Sequence, residues 1–274
     1  MSAEGVVGRP GVPRPGVPRP GVPWLPPALQ PAVGARAQPV HALLPDAGVL
    51  EGADMAWTPS FRIVASEYAG ENLFDRFATA QDAEHFRAIA DLSSPHASPY
   101  ALHEMGHIDL VPLDDRIYGA GTGLVMATFA WPGRPSRFSD GTRGTFYAAR
   151  ADHTAIIETA YHDARMLVGA GPVVLEKSLI EANLVGSFVD VRAGRPAPAA
   201  LYDPSDYSAG QTFGGLIRKL GGDGIVYDSV RHRDSAKNPL GECAAVFRPP
   251  VLRNAKVTRT VEYHWDGGRI AEIR

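Results

Sequence analysis

The spacing of apolar and polar positions along this chain predicts many short strands and few helices. Runs rich in β-branched and aromatic residues at 61–65, 124–130, 144–149, 173–180, 184–191, 224–230, 242–247 and 258–265 read as strands. A helix is predicted after Asp152, where Ile156, Ile157, Ala160, Tyr161, Ala164 and Val168 recur at helical spacing and mark one apolar face. A second helix is predicted from Ser208 to Leu220, with Phe213, Leu216, Ile217 and Leu220 inward and Gly221 and Gly222 ending it. A short helical pattern also covers Ala83 to Leu92. Strands that outnumber helices, with no regular strand–helix alternation, predict an α+β domain with a single mixed sheet rather than a doubly wound parallel one.

The first 55 residues obey a different rule. Of 24 prolines in the 274-residue chain, 11 fall within the first 50 residues, and Arg-Pro-Gly-Val-Pro occurs three times between Arg9 and Pro23. Proline at that density removes backbone donors and drives the preceding residues toward extended conformations, so neither helix nor central strand propagates. Residues 1–55 therefore read as a disordered, Pro/Gly-rich tail of partly polyproline II character, and residues 56–274 as one folded domain.

Charge and cysteine count narrow the classes of function. There are 27 Lys and Arg against 30 Asp and Glu, a formal net charge of −3, which argues against direct binding to nucleic acid or to an anionic membrane surface. The single cysteine, Cys243, builds neither an intramolecular disulfide nor a cysteine zinc site, so a reducing cytoplasm is the expected compartment. No secretory signal pattern opens the chain, and no apolar run approaches the roughly 20 residues that a membrane-spanning helix needs.

Four segments are candidates for chemistry. His103-Glu104-Met105-Gly106-His107 matches H-E-x-x-H, which on a helix holds zinc between two histidines while the glutamate activates water. The setting disfavours that helix: Pro95 and Pro99 lie upstream, Gly106 interrupts, and 108–111 reads as extended. The glycine run Gly119 to Gly123 reads as a turn before a strand rather than a phosphate loop before a helix. Arg137, Tyr147 and Glu158 come from a loop, a strand and the following helix. Together they suit an anionic, aromatic, hydroxyl-bearing ligand: arginine binds phosphate bidentately, tyrosine covers a flat ring and glutamate accepts from a sugar hydroxyl. Finally, 223–232 places Ser229 near a strand end, where it reads as a positioning hydroxyl rather than the nucleophile of a triad with His232.

These elements, in this order, resemble the RES domain, a family named for its arginine, glutamate and serine. The likeness is carried by Phe61-Arg62-Ile63-Val64, by SRFSDGTRGTFYAARADHTAIIETAYH from Ser136 to His162, by DPSDYSAGQTFGGLIRKLGGDGIVYDSVRH from Asp203 to His232, and by GECAAVFRP from Gly241 to Pro249. Ile108-Asp109-Leu110-Val111-Pro112 is similar to a segment of longer members. The central run keeps the family spacing, ten residues from Arg137 to Tyr147 and eleven from Tyr147 to Glu158.

The resemblance implies a fold similar to that of ADP-ribosyltransferases and the toxin role of a bacterial toxin–antitoxin pair. It implies that NAD is a consumed substrate rather than a cofactor, cleaved at the nicotinamide–ribose bond by hydrolysis or phosphorolysis, with inorganic phosphate as one acceptor. Transfer of ADP-ribose to a protein is the alternative within the family; a zinc peptidase using His103, Glu104 and His107, or a silent NAD-binding module, are alternatives of other classes. It implies Glu158, Tyr147, Arg62 and Ser229 as catalytic residues and Arg62, Arg137, Tyr147 and Ser229 as NAD-binding ones, with no metal. The implied partner is a helix-turn-helix, Xre-type antitoxin. Two departures stand out: Arg62 and Arg137 are 75 residues apart, and 233–240 looks like an insertion where a short Pro-Gly turn is expected.

Overall fold

The structure, a computed structural model, describes residues 52–70, 73–77, 79, 81–82, 106–192, 199–235 and 238–274. The strands are β1 (Gly52–Ala65), β2 (Phe146–Ala149), β3 (Val173–Asp190), β4 (Gly224–Asp228), β5 (Arg233–Ser235), β6 (Asn238–Pro239), β7 (Glu242–Val246), β8 (Leu252–Trp265) and β9 (Ile270–Ile273). The helices are α1 (Leu73–Arg76), α2 (Gly123–Ala130), α3 (Asp152–Met166) and α4 (Ser208–Lys219).

Seven strands form one sheet in the order β1-β2-β7-β4-β3-β8-β9, and β1 also pairs with β3. Among the described strand pairings only β3 and β4 run parallel, through Val189 opposite Ile225 and Asp190 opposite Val226. The sheet is therefore mixed, as the sequence pattern predicts. β3 organises it: one edge carries β1 along almost its whole length, and the other carries β8 and then β4.

Alternation along the strands sorts their side chains onto two faces. Phe146, Ala148, Val226, Ala244 and Val246 belong to one core, which α2 closes with Val125, Met126 and Phe129. Ala149, Ile225, Tyr227, Cys243 and Ala245 belong to the other, closed by Ala155 and Ile156 of α3 and by Phe213 and Ile217 of α4. The second face carries the candidate site.

Several expectations change. The run 124–130 is a helix, not a strand; because nearly every residue in it is apolar, it offered no contrast from which to read a period, yet Val125, Met126, Phe129 and Ala130 are buried at helical spacing. The runs 173–180 and 184–191 are one strand, because the polar residues between them pair with β1 on one edge and β8 on the other. β1 begins at Gly52, so 52–55 belong to the sheet and not to the tail, with Met55 buried. Ile108–Leu110 is a turn of 3-10 helix rather than extended chain. Leu220 and Val168 are exposed, lying past the last residues of α4 and α3. The insertion at 233–240 contains the two-stranded β5-β6 hairpin. The expectations for residues 1–51, for a helix at 83–92 and for His103 and Glu104 lie outside the described residues.

Candidate active site

α3 starts where Asp152 takes the first helical position, its carboxylate accepting from His153 N at 2.6 Å. Ile156 packs into the second core, and Tyr263 donates its hydroxyl to Ile156 O at 3.3 Å. These contacts fix the turn that carries Glu158.

Ser229 follows β4 and is fully buried. Its main chain is tied to the start of β7 by Ser229 N donating to Gly241 O at 2.7 Å. Its Oγ accepts from His232 N at 2.8 Å and from Arg231 N at 3.2 Å, and donates to Glu158 Oε1 at 2.5 Å. With its acceptor capacity filled by two backbone donors, the hydroxyl proton is committed to the carboxylate. Among the described residues none hydrogen-bonds to Glu158 Oε2. Below the pair lie Tyr227 and Cys243, and burial, reinforced by the Glu158 charge, holds the phenol and the thiol well above their ordinary pKa, so both stay neutral. Cys243 is thus an inert wall.

Two histidines flank the carboxylate. His232 Nδ1 shares a hydrogen bond with Thr154 Oγ1 at 2.8 Å, and its ring meets His153 edge-on at 5.1 Å between centroids. Burial and the neighbouring His153 lower its pKa.

Tyr147 reaches the same face from β2. Its hydroxyl shares a hydrogen bond with Ser136 Oγ at 2.8 Å and accepts from Phe138 N at 3.0 Å. It thereby pins the 136–138 loop, and burial raises its pKa. The loop presents Arg137, a buried arginine whose Nη1 donates to Leu201 O and Asp203 O, each at 2.8 Å, while the guanidinium lies 4.8 Å above the Tyr207 ring. Its Nη2 and Nε have no described partner. α4 comes close enough to hold this loop because two of its residues lack side chains: a Cβ on Gly210 would sit 2.2 Å from Arg137 O, and one on Gly214 2.2 Å from Phe138 O.

Arg62 is not brought to this group. On β1 it alternates with Phe61 and Ile63, which join the second core, and its guanidinium lies 4.5 Å over Phe146, a residue of the first. Its link to the site is Nη1 donating to the Tyr147 carbonyl at 3.4 Å. Its Nε is buried without a partner, and burial lowers its pKa to about 10.

Sequence reasoning did not single out Arg231 or Tyr207 and placed Tyr161 only on an apolar face. Arg231 lies 3.6 Å over the Tyr161 ring and donates to Pro204 O at 2.5 Å and to Tyr207 OH at 3.3 Å, tying the 204–207 segment to α3. The hint was present in Ser229-Val230-Arg231, but linear spacing does not reveal which of two remote loops an arginine bridges. Among the described residues no group of three or more His, Cys, Asp or Glu is placed to hold a metal. The glycine run 119–123 precedes a helix after all, yet Asp75 Oδ1 already accepts from Gly123 N at 2.9 Å, so that terminus holds a carboxylate instead of a phosphate.

The RES domain family model matches residues 115–266, more than half of the chain. The chain belongs to the RES domain family. Arg137, Tyr147, Glu158 and Ser229 fall within the matched RES domain, whereas Arg62 precedes it. No curated protein matches the chain. Among solved structures it is similar to a chain of the M. tuberculosis MbcT–MbcA toxin–antitoxin complex, with 8% identity, a TM-score of 0.40, and coverage of 78% of this chain and 87% of that one. No residue correspondence follows from so low a similarity. No helix among the described residues is long and apolar enough to cross a membrane.

Proposed function

We propose that this RES domain is the toxin of a bacterial toxin–antitoxin pair and that it depletes NAD by cleaving the nicotinamide–ribose bond. The observation that carries the reading is the Ser229 Oγ to Glu158 Oε1 hydrogen bond within the matched domain, because it leaves one carboxylate oriented with Oε2 free for a ligand hydroxyl.

Nicotinamide leaves NAD as a neutral molecule: the C1′–N bond breaks, its electron pair goes to the pyridinium nitrogen, and an oxocarbenium-like ribosyl cation remains. No acid is needed to protonate the leaving group, so one carboxylate suffices where ordinary glycosidases use two. Glu158 accepts from a ribose hydroxyl and stabilises the developing positive charge. Ser229 holds Glu158 in that orientation. Tyr147 walls the nicotinamide side and, through the 136–138 loop, places Arg137, whose two free donor positions hold the pyrophosphate. Arg62, on the other face of the sheet, supports β2 through the Tyr147 carbonyl and touches no substrate. Water or inorganic phosphate then captures the cation and loses a proton. The partner in this reading is a helix-turn-helix antitoxin of the Xre type that covers the cleft and makes any DNA contact.

The test is incubation of purified protein with NAD, with and without phosphate. Free nicotinamide together with ADP-ribose indicates hydrolysis, and its phosphate ester indicates phosphorolysis. Unchanged NAD in both, or ADP-ribose found only on a protein, refutes NAD depletion by cleavage to small products.

A further inference from the structure

A second arginine-lined cleft lies away from Glu158, at the C-terminal end of α4. It encloses about 190 Å³ and contains none of Arg62, Arg137, Tyr147, Glu158 or Ser229. Val111, Phe129 and Phe247 line it together with the charged residues Asp115, Arg143, Arg218 and Arg248.

Arg218 is preset in this cleft. Its guanidinium stacks 4.0 Å over the Phe247 ring, and Nη2 is fixed by Gly144 O at 2.7 Å and Thr145 Oγ1 at 2.6 Å. Nη1 and Nε have no described partner, and no described carboxylate forms an ion pair with it. The side chain of Arg143, exposed on the rim, likewise has no described partner; burial first, and then the Arg143 charge, outweigh Tyr147 and Asp140 and lower the Arg218 pKa to about 10. At neutral pH both remain cationic, so two like charges share the cleft.

Of the other charges nearby, the Asp140 carboxylate offsets part of the Arg218 charge without forming an ion pair with it. Asp115 also lines the cleft, but its Oδ1 already accepts from Arg248 Nη2 at 2.7 Å and Nε at 3.0 Å. The end of α4 would oppose an anion through its carbonyls, but those of Ile217 and Arg218 are capped by Gly222 N and Gly221 N, each at 3.0 Å.

We infer that this cleft binds a small phosphate-type oxyanion, free or as the ester of a compact apolar group lying on Val111, Phe129 and Phe247. Arg143 keeps its whole guanidinium free for such an anion, and the stacked, prefixed Arg218 adds its charge and an Nη1 donor with little loss of freedom on binding. This gives a role to Leu110-Val111-Pro112 in the long stretch between Arg62 and Arg137: it forms a wall of the second site.

Calorimetric titration of the full chain with inorganic phosphate, and separately with phenyl phosphate, tests this. Saturable binding of one or both is expected. Tighter binding of the phenyl ester names the ester as the ligand type, and equal binding names the free ion. Arg143→Glu reverses a rim charge without touching packing, and it should weaken binding about tenfold or more. Arg218→Met should do the same, while Glu158→Gln should bind as wild type does, which separates this site from the one proposed to act on NAD. Absence of saturable binding of both probes, or binding unchanged in Arg143→Glu and Arg218→Met, overturns the inference.

Discussion

Ser229 donates its hydroxyl to Glu158 across 71 positions of sequence, at 2.5 Å, while its own lone pairs are filled by the backbone of Arg231 and His232. In the proposed mechanism the hydroxyl orients Glu158 rather than attacking, because the lone pairs that attack would need are held by two backbone donors. Ser229→Ala removes the donor to Glu158 and leaves two backbone N–H groups without their acceptor at a fully buried position. We expect a loss of about 1–3 kcal/mol in stability. NAD turnover should fall at least tenfold, in kcat more than in KM; a nucleophilic serine would instead abolish turnover and leave a trappable covalent adduct in wild type.

The two arginines should behave differently. Arg137→Lys keeps the charge but loses the planar fork that reaches both Leu201 O and Asp203 O, so the 201–203 segment and the pyrophosphate contact loosen together. KM for NAD should rise about tenfold or more, with a smaller change in kcat. Arg62→Met replaces a half-buried cation with a shorter, neutral side chain, and should change thermal stability while leaving KM near wild type. A KM increase in Arg62→Met as large as in Arg137→Lys would place Arg62 in contact with substrate.

Gly214 tests how the site is held. A methyl at this position would meet Phe138 O at 2.2 Å, so α4 has to retreat or the Arg137 loop has to move. Gly214→Ala should cost about 1–3 kcal/mol despite the better helix propensity of alanine. A stability gain, the usual result of this change in an exposed helix, would show that the close approach is not maintained in solution.

Protonation of His232 sets a pH dependence. Its folded-state pKa lies below the ordinary 6.5, so below that value the unfolded chain binds a proton that the folded protein does not. The resulting stability is fully present above 6.5 and is lost as pH falls toward the folded value. The melting temperature should therefore drop as pH is lowered through and below 6.5, and the drop should be smaller in His232→Asn. An identical pH profile for the two proteins would remove His232 from the explanation.

Much of the fold was legible because its helices and strands have contrasting faces. Ile156 at the inward position of α3, and Phe213 and Ile217 in α4, sit where their period places them. The region around α2 was not legible because 124–130 is apolar on every side, and β9 was missed because Ile270–Ile273 is short and its last three residues are exposed. At the site, the order Arg137, Tyr147, Glu158 and Ser229 was legible as a family pattern. The side of the sheet from which each residue projects was not. Arg62 is one residue from Ile63, and that single step puts it on the opposite face from the group it was expected to join. Likewise, the Arg231 bridge depends on two loops meeting, which no local pattern encodes.

In the proposed mechanism the Glu158 carboxylate, oriented by Ser229, stabilises cleavage of the nicotinamide–ribose bond. Glu158→Gln keeps the size and the capacity to accept from Ser229 but removes the charge. The most direct measurement is the rate of nicotinamide release from NAD by purified wild type and Glu158→Gln, with folding of both verified by melting. Both should fold, and release should fall about 100-fold or more in the variant. Release at the wild-type rate from folded Glu158→Gln would contradict this mechanism.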